Sequence, residues 1–95
     1  MKATVVGLVT PHVLRVIDIA KQAESSVVNV DWHLKDAVAK TLDEVGGQFN
    51  APSLLAAYVQ GLQTTAQEAG PGRKTYADVL QKAAAIAARH LEERS

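Results

Sequence analysis

The sequence predicts an all-α fold. Apolar residues recur at helical spacing over most of the chain, Ala, Leu and Val supply most of the apolar content, and helix breakers gather at Thr10-Pro11, Gly46–Pro52 and Gly70–Gly72. The 95 residues allow one domain, 1–95, with a modest core.

Residues 1–9 read as an N-terminal extension or a short strand, because Val5, Val6, Leu8 and Val9 are good strand formers. A lone strand would need a second chain to pair with. Thr10-Pro11 then supplies a hydroxyl N-cap and a proline at the first helical position. Val13, Ile17, Ala20, Val27, Val30, Leu34, Val38, Leu42 and Val45 keep one helical phase across Ser25-Ser26. This predicts a single first arm over 10–45, roughly 50 Å long at 1.5 Å per residue. Two helices meeting at Ser25-Ser26 are the alternative, since Val27-Val28 is only a fair helix-forming pair.

Gly46-Gly47 ends that arm, and 46–50 form a turn. Asn50 or Ser53 caps the next helix, with Pro52 in its first turn and Leu55, Tyr58, Leu62, Ala66 and Ala69 as its buried stripe. Gly70-Pro71-Gly72 should kink the chain. The heptad series Leu55, Leu62, Ala69, Tyr76, Ala83, His90 nevertheless crosses it without resetting, and Thr75-x-x-Asp78 resembles a cap. The expectation is a second arm over 51–93, kinked near Gly70–Gly72. Two such arms make an antiparallel hairpin that pairs with another into a four-helix bundle. A monomeric three- or four-helix bundle is the alternative.

Ten basic residues balance ten acidic ones, so no net field favours nucleic acid. Between Gly46 and Gly72 the only charged residue is Glu68. So long an uncharged stretch is weakly solvated for a surface helix and suggests a face covered by another chain. No run approaches transmembrane length, which argues against membrane insertion. The apolar start is short, broken by Gly7 and lacks a small-residue cleavage site. The expectation is a cytoplasmic protein, or one exported without a cleaved signal.

The chemistry-bearing residues are scattered. Without cysteine there is no disulfide, thiolate metal site or cysteine nucleophile. His12, His33 and His90 lack the His-x-x-x-His spacing of a helical metal site. Asp43-Glu44 and Glu92-Glu93 are adjacent and point to diverging helix faces. Gly70–Thr75 lacks the spacing and preceding strand of a phosphate loop. No catalytic residue, cofactor or metal is therefore expected. Trp32 lies off the main stripe and suits a partner's groove. Ala57 and Gly61, and Ala84 and Ala88, form small-residue pairs four apart that would let another helix approach closely. These five residues are the expected partner interface.

The order of a long first helix, a Val-Gly-Gly-Gln-Phe turn at 45–49, Pro52-Ser-Leu-Leu-Ala-Ala-Tyr-Val and the Ala-rich segment from Leu80 to His90 resembles the small WXG-type helical-hairpin proteins of type VII (ESX) secretion. The turn carries Gly46-Gly47 and Phe49 where the family has Trp-x-Gly, and Tyr76 is followed four residues on by Leu80, not an acid. The resemblance implies a homodimer, or a pair with a similar hairpin, acting as export partner, chaperone or targeting module for a larger effector. A strand, a helix, Ser-Ser and a further helix is also the order of ribbon-helix-helix antitoxins. Thr4, however, is the only polar residue between Ala3 and Val9 to read base edges. A phage-encoded small inhibitor protein is a third expectation.

Overall fold

Two serines compete for the last carbonyls of the first helix. Ser25 Oγ and Ser26 Oγ both donate to the Gln22 carbonyl, at 3.3 and 3.2 Å, beside the Ser26 backbone N–H at 3.0 Å. Hydroxyls that bond back to the preceding turn offer the chain an alternative to further helix. Asn29 then opens the next helix, its side chain accepting the Trp32 N–H at 3.2 Å. A computed structural model describes the backbone of residues 2–26, 29–48 and 51–94, and the side chains among them from 9 to 93. Among the described residues there are four α-helices: α1 (Lys2–Ser25), α2 (Val30–Val45), α3 (Ala51–Glu68) and α4 (Lys74–Arg94), with a 3-10 turn at Pro71–Arg73 before α4.

Helix directions follow from side-chain pairs. Val13 lies against Gly61, and Glu24 reaches Arg73 just beyond α3; the two pairs ascend together, so α1 and α3 run parallel. His12, midway along α1, meets Glu44 at the end of α2, whose start follows the end of α1 closely, so α2 runs antiparallel to α1. The link between α3 and α4, residues 69–73, spans at most about 20 Å. That is shorter than the roughly 27 Å of α3, so a helix packed along α3 must run back beside it. The α3–α4 interface is the most extensive in the molecule. The result is an up-down-up-down bundle in one chain, with every pair of helices in contact and overall dimensions of 38 × 25 × 20 Å.

The all-α class stands, while three details of the architecture are corrected. The continuous 10–45 arm is two helices, broken between Ser26 and Asn29 by the hydroxyl and amide bonds described above. The 51–93 arm is no kinked rod but an antiparallel α3–α4 hairpin. Gly70 adopts φ 83° and ψ 170°, a conformation open essentially to glycine, and its carbonyl accepts the Arg73 N–H at 3.3 Å. The heptad phase crosses this turn because both helices face one core, and phase carries no information about direction. Residues 2–9 are helical, not a strand, and Pro11 lies inside α1, giving no N–H to the Gly7 carbonyl four residues back. Thr75 lies within α4 and Ser53 within α3, so neither is a cap. The expected Asn50 cap, Phe49 and Val27-Val28 fall outside the described residues.

The core is built from Val9, Val13, Val16 and Ala20 of α1, Leu34, Val38 and Val45 of α2, Leu54, Leu55, Tyr58 and Leu62 of α3, and Tyr76, Leu80, Ala83 and Ala87 of α4. Val16 takes the place expected for Ile17, which is only half-buried. Tyr58 is the largest fully buried side chain. At one end the Arg73 guanidinium grips Glu24 through two bonds, of 2.6 and 3.1 Å, and lies 3.8 Å above the Tyr76 ring. This clamp joins the last turn of α1 to the α3–α4 reversal. The hydrogen bond from Arg73, aided by its charge, holds the Glu24 carboxyl below its ordinary value of 4.5. A depressed folded-state value means the stabilisation is complete above about pH 4.5 and is lost as pH falls through the lowered value. Glu24→Gln should therefore destabilise the chain to urea at pH 7, and the difference from the parent should shrink progressively as the pH is taken below about 4.5.

Candidate functional site

The close approach of α1 and α3 creates the main surface feature. A side chain at Gly61 would place its Cβ 3.3 Å from Val13 Cγ2, tighter than ordinary contact, so glycine here lets the two helices touch. Between them runs a groove of about 450 Å³, lined by Val9, Thr10, Val13, Leu14 and Ile17 from α1 and Ala57, Gln60, Gly61, Thr64 and Thr65 from α3. Thr65 Oγ1 donates to the Gly61 carbonyl at 2.8 Å, which satisfies its hydroxyl within the helix. None of the lining residues is charged. Leu14 stands on the rim with 56% of its surface exposed, against 59% for Trp32, the other large apolar side chain so placed among the described residues.

The expected interface residues divide. Ala57 and Gly61 both line the groove. The helix that Gly61 admits is α1 of the same chain. Ala84 is only 2% exposed and packs within the chain's own core, and Ala88 is half-buried on α4. Trp32 sits on the first turn of α2, its ring edge-on to His33 at 5.1 Å, and does not line the groove. Leu14 was absent from the expected set. Its signal was available, since it falls between Val13 and Ile17 and off the buried phase.

A second feature runs from the interior to the surface. The buried His12 of α1, Thr41 of α2 and Tyr58 of α3 form a polar cluster with the partly exposed Arg15 of α1 and the exposed Glu44 of α2. His12 Nδ1 lies 3.3 Å from Glu44 Oε2, and Arg15 Nη2 lies 3.7 Å from Glu44 Oε1. The His12 and Tyr58 rings meet edge to face at 6.4 Å. Thr41 Oγ1 donates to the Ala37 carbonyl at 3.1 Å. None of His12 Nδ1, Arg15 Nη1 and the Tyr58 hydroxyl has a well-aligned hydrogen-bond partner among the described residues. Burial pushes the Tyr58 phenol up, with Thr41 and Arg15 pulling it partly back. The sequence carried a trace of this cluster in the i, i+3 pairs His12–Arg15 and Thr41–Glu44. Each pair puts one polar residue on a buried face.

The chemistry of this cluster is that of an internal brace. Its groups come from three helices, and none of the three main surface clefts is lined by them. His90 pairs loosely with Glu93 at 3.8 Å, and His33 packs on Trp32. Among the described residues no three His, Asp or Glu side chains gather closely enough to hold a metal ion. Nor is any described helix long and apolar enough to cross a membrane.

No family model, curated protein or solved structure matches the chain. The bundle and its surfaces must carry the functional reading themselves.

The Tyr58 hydroxyl, which has Thr41 beside it but no well-aligned partner, gives a direct test of this interior. Removing a buried polar group that has no partner is close to neutral, whereas removing the ring opens a cavity. Tyr58→Phe should change unfolding free energy by less than about 1 kcal/mol. Tyr58→Ala should lower it by about 3–5 kcal/mol. Urea titration of both variants makes the comparison, and a large loss in Tyr58→Phe would show that the hydroxyl is bonded.

Proposed function

We propose that this protein is a helical protein–protein interaction module that receives a partner along the α1–α3 face. One observation carries the reading: from Ala51 to Gln67 the exposed side of α3 has no charged residue, and it flanks an uncharged apolar groove with Leu14 raised on its rim. Surface helices normally carry charge on their outer side. The exposed faces of α2 and α4 do, with Asp31, Lys35, Lys40 and Asp43 on one and Lys74, Asp78, Lys82 and Arg89 on the other. An apolar groove with a polar amide and hydroxyl rim has the composition of a docking surface.

The narrower form of the reading is a WXG-like partner, chaperone or targeting factor in type VII secretion, serving a larger effector. It draws on the likeness in length, in the Gly46-Gly47 turn and in the Ala-rich last helix. The reversals at Ser26–Asn29 and at Gly70 weigh against it, because a WXG-type hairpin needs two unbroken arms. The ribbon-helix-helix antitoxin gains less support, since the segment it requires as a strand belongs to α1. Nothing in the fold favours or opposes a phage-encoded inhibitor.

Co-expression with the products of adjoining genes tests the module. Backbone amide shifts on complex formation should concentrate at 9–17 and 57–65. Leu14→Asp should weaken binding at least tenfold without altering helicity. An uncharged interface also predicts an affinity nearly indifferent to salt. Partner-induced shifts confined to α2 and the outer face of α4, or affinity unchanged in Leu14→Asp, would contradict the assignment of this face.

A further inference from the structure

We infer that α2 is a detachable cover on a three-helix body: it swings off α1, α3 and α4 as one unit while those three stay packed. The inference does not depend on the docking face between α1 and α3.

The seat of α2 is chemically imperfect. Among the described residues, the buried side-chain polar atoms without an aligned partner are His12 Nδ1, Arg15 Nη1 and the Tyr58 hydroxyl. All three belong to side chains that meet α2. His12 and Arg15 face Glu44 at 3.3 and 3.7 Å, and Tyr58 has Thr41 beside it. A buried donor or acceptor left unpaired loses its bonds to water and gains little in return. These atoms therefore lose hydration when α2 is seated and recover it when α2 leaves. Leu34, Ala37, Val38 and Val45 hold the helix down by apolar burial, and the polar desolvation works against them. The cluster fixes where α2 sits without holding it firmly.

Extent points the same way. Each interface that α2 makes is smaller than any of the three that join α1, α3 and α4. It is also the shortest of the helices, with 16 residues against 24, 18 and 21. Segments with few buried apolar contacts are the ones that open first under native conditions, and they do so as contiguous units.

Finally, α2 carries its own supports. Asn29 caps it on the Trp32 N–H, Asp31 lies in its first turn, and Lys40 pairs with Asp36 one turn back at 3.1 Å. These bonds lie within the helix and survive undocking. Its outer side, with Asp31, Lys35, Lys40 and Asp43, is hydrated whether or not the helix is seated. Past its C-terminal end a side chain at Gly47 would meet no atom within 4 Å, so the chain can turn there without a clash. Ser25 and Ser26 close α1 on the Gln22 carbonyl, so the departure of α2 takes no terminal bond from α1.

Because the chain has no cysteine, one introduced thiol reports on one site. Val38 on α2 and Ala83 on α4 are both buried and close to cysteine in size. With each rate referred to that of the same variant in urea, Val38→Cys should react with an aromatic disulfide reagent about a hundredfold faster than Ala83→Cys under native conditions. Adding Tyr58→Phe to Val38→Cys should slow the reaction about threefold, since the ring then has no hydroxyl to dehydrate on seating. Amide exchange of the unmodified chain asks the same question without substitution. Amides between 34 and 45 should share one opening, populated more than the opening that exposes the slowest amides of α3 and α4. Equal protection in all these helices, or equal thiol rates, would overturn the cover and show a bundle that opens only as a whole. A Val38→Cys reaction that quickens with Tyr58→Phe would overturn its physical basis, because the hydroxyl would then be bonded to the seated helix.

Discussion

The contact between α1 and α3 at Val13 and Gly61 is the constraint on which the rest of this structure depends. Two parallel helices of an up-down-up-down bundle ordinarily lie on a diagonal, separated by their neighbours. Here a glycine removes the side chain that would hold them apart, and Val13 comes to within 3.3 Å of where its Cβ would be. The three largest interfaces then join α1, α3 and α4, and α2 is laid across them through Leu34, Val38, Thr41 and Val45. The groove follows from the same contact. Its floor is the seam between two touching helices, and Leu14, one residue past Val13, is turned out to its rim.

The small side chains of the core make such close approach necessary. Apolar burial yields about 25 cal/mol per Å². A chain with four aromatic residues, two of them in its described core, must gain its area from many short contacts. Ala20, Ala83, Ala84 and Ala87 supply these, all at 2% exposure or less. The polar cluster around Tyr58 reaches from this thin core to the surface at Glu44. Buried polar groups strengthen one another when satisfied and are costly when they are not. With His12 and Arg15 both turned to Glu44, the cluster ties three helices in one register. The Glu24–Arg73 clamp ties α1 to the α3–α4 reversal, and like the Arg15–Glu44 pair it is partly open to solvent, where an ion pair contributes modestly.

Much of the fold was legible because helical periodicity is a local property. The α3 stripe of Leu55, Tyr58, Leu62 and Ala66 is buried as its spacing indicates, and α2 stops at the Gly46-Gly47 pair. Chain direction was the illegible part. Ser25-Ser26 and Gly70-Pro71 were visible as breaks, but a break fixes no angle, and an unbroken apolar phase fits a straight rod and a full reversal equally. What distinguishes them is non-local: the bidentate reach of Arg73 to Glu24, and the room that Gly61 gives Val13. The candidate surface was half visible for the same reason. Ala57 and Gly61 were marked by size and the α3 face by its missing charge; Leu14 stood off the buried phase of α1, but its place on a groove followed only once α1 was set beside α3. Ala84 satisfied the same small-residue criterion and proved to be core.

The central claim is that one chain completes a four-helix bundle by reversing at both breaks. The reversal at Gly70 bears most directly on it, because without it the molecule becomes a pair of long arms that needs a second chain to close. Spin labels on cysteines placed at Ser53 and Glu92 would measure the separation between the start of α3 and the end of α4 by electron–electron dipolar coupling. In the bundle these sites lie at one end on adjacent helices, and the distance should centre at about 15–25 Å, set by interaxial spacing and label length. A continuous second arm would separate them by about 60 Å at 1.5 Å per residue. A distribution near that longer value would contradict the account.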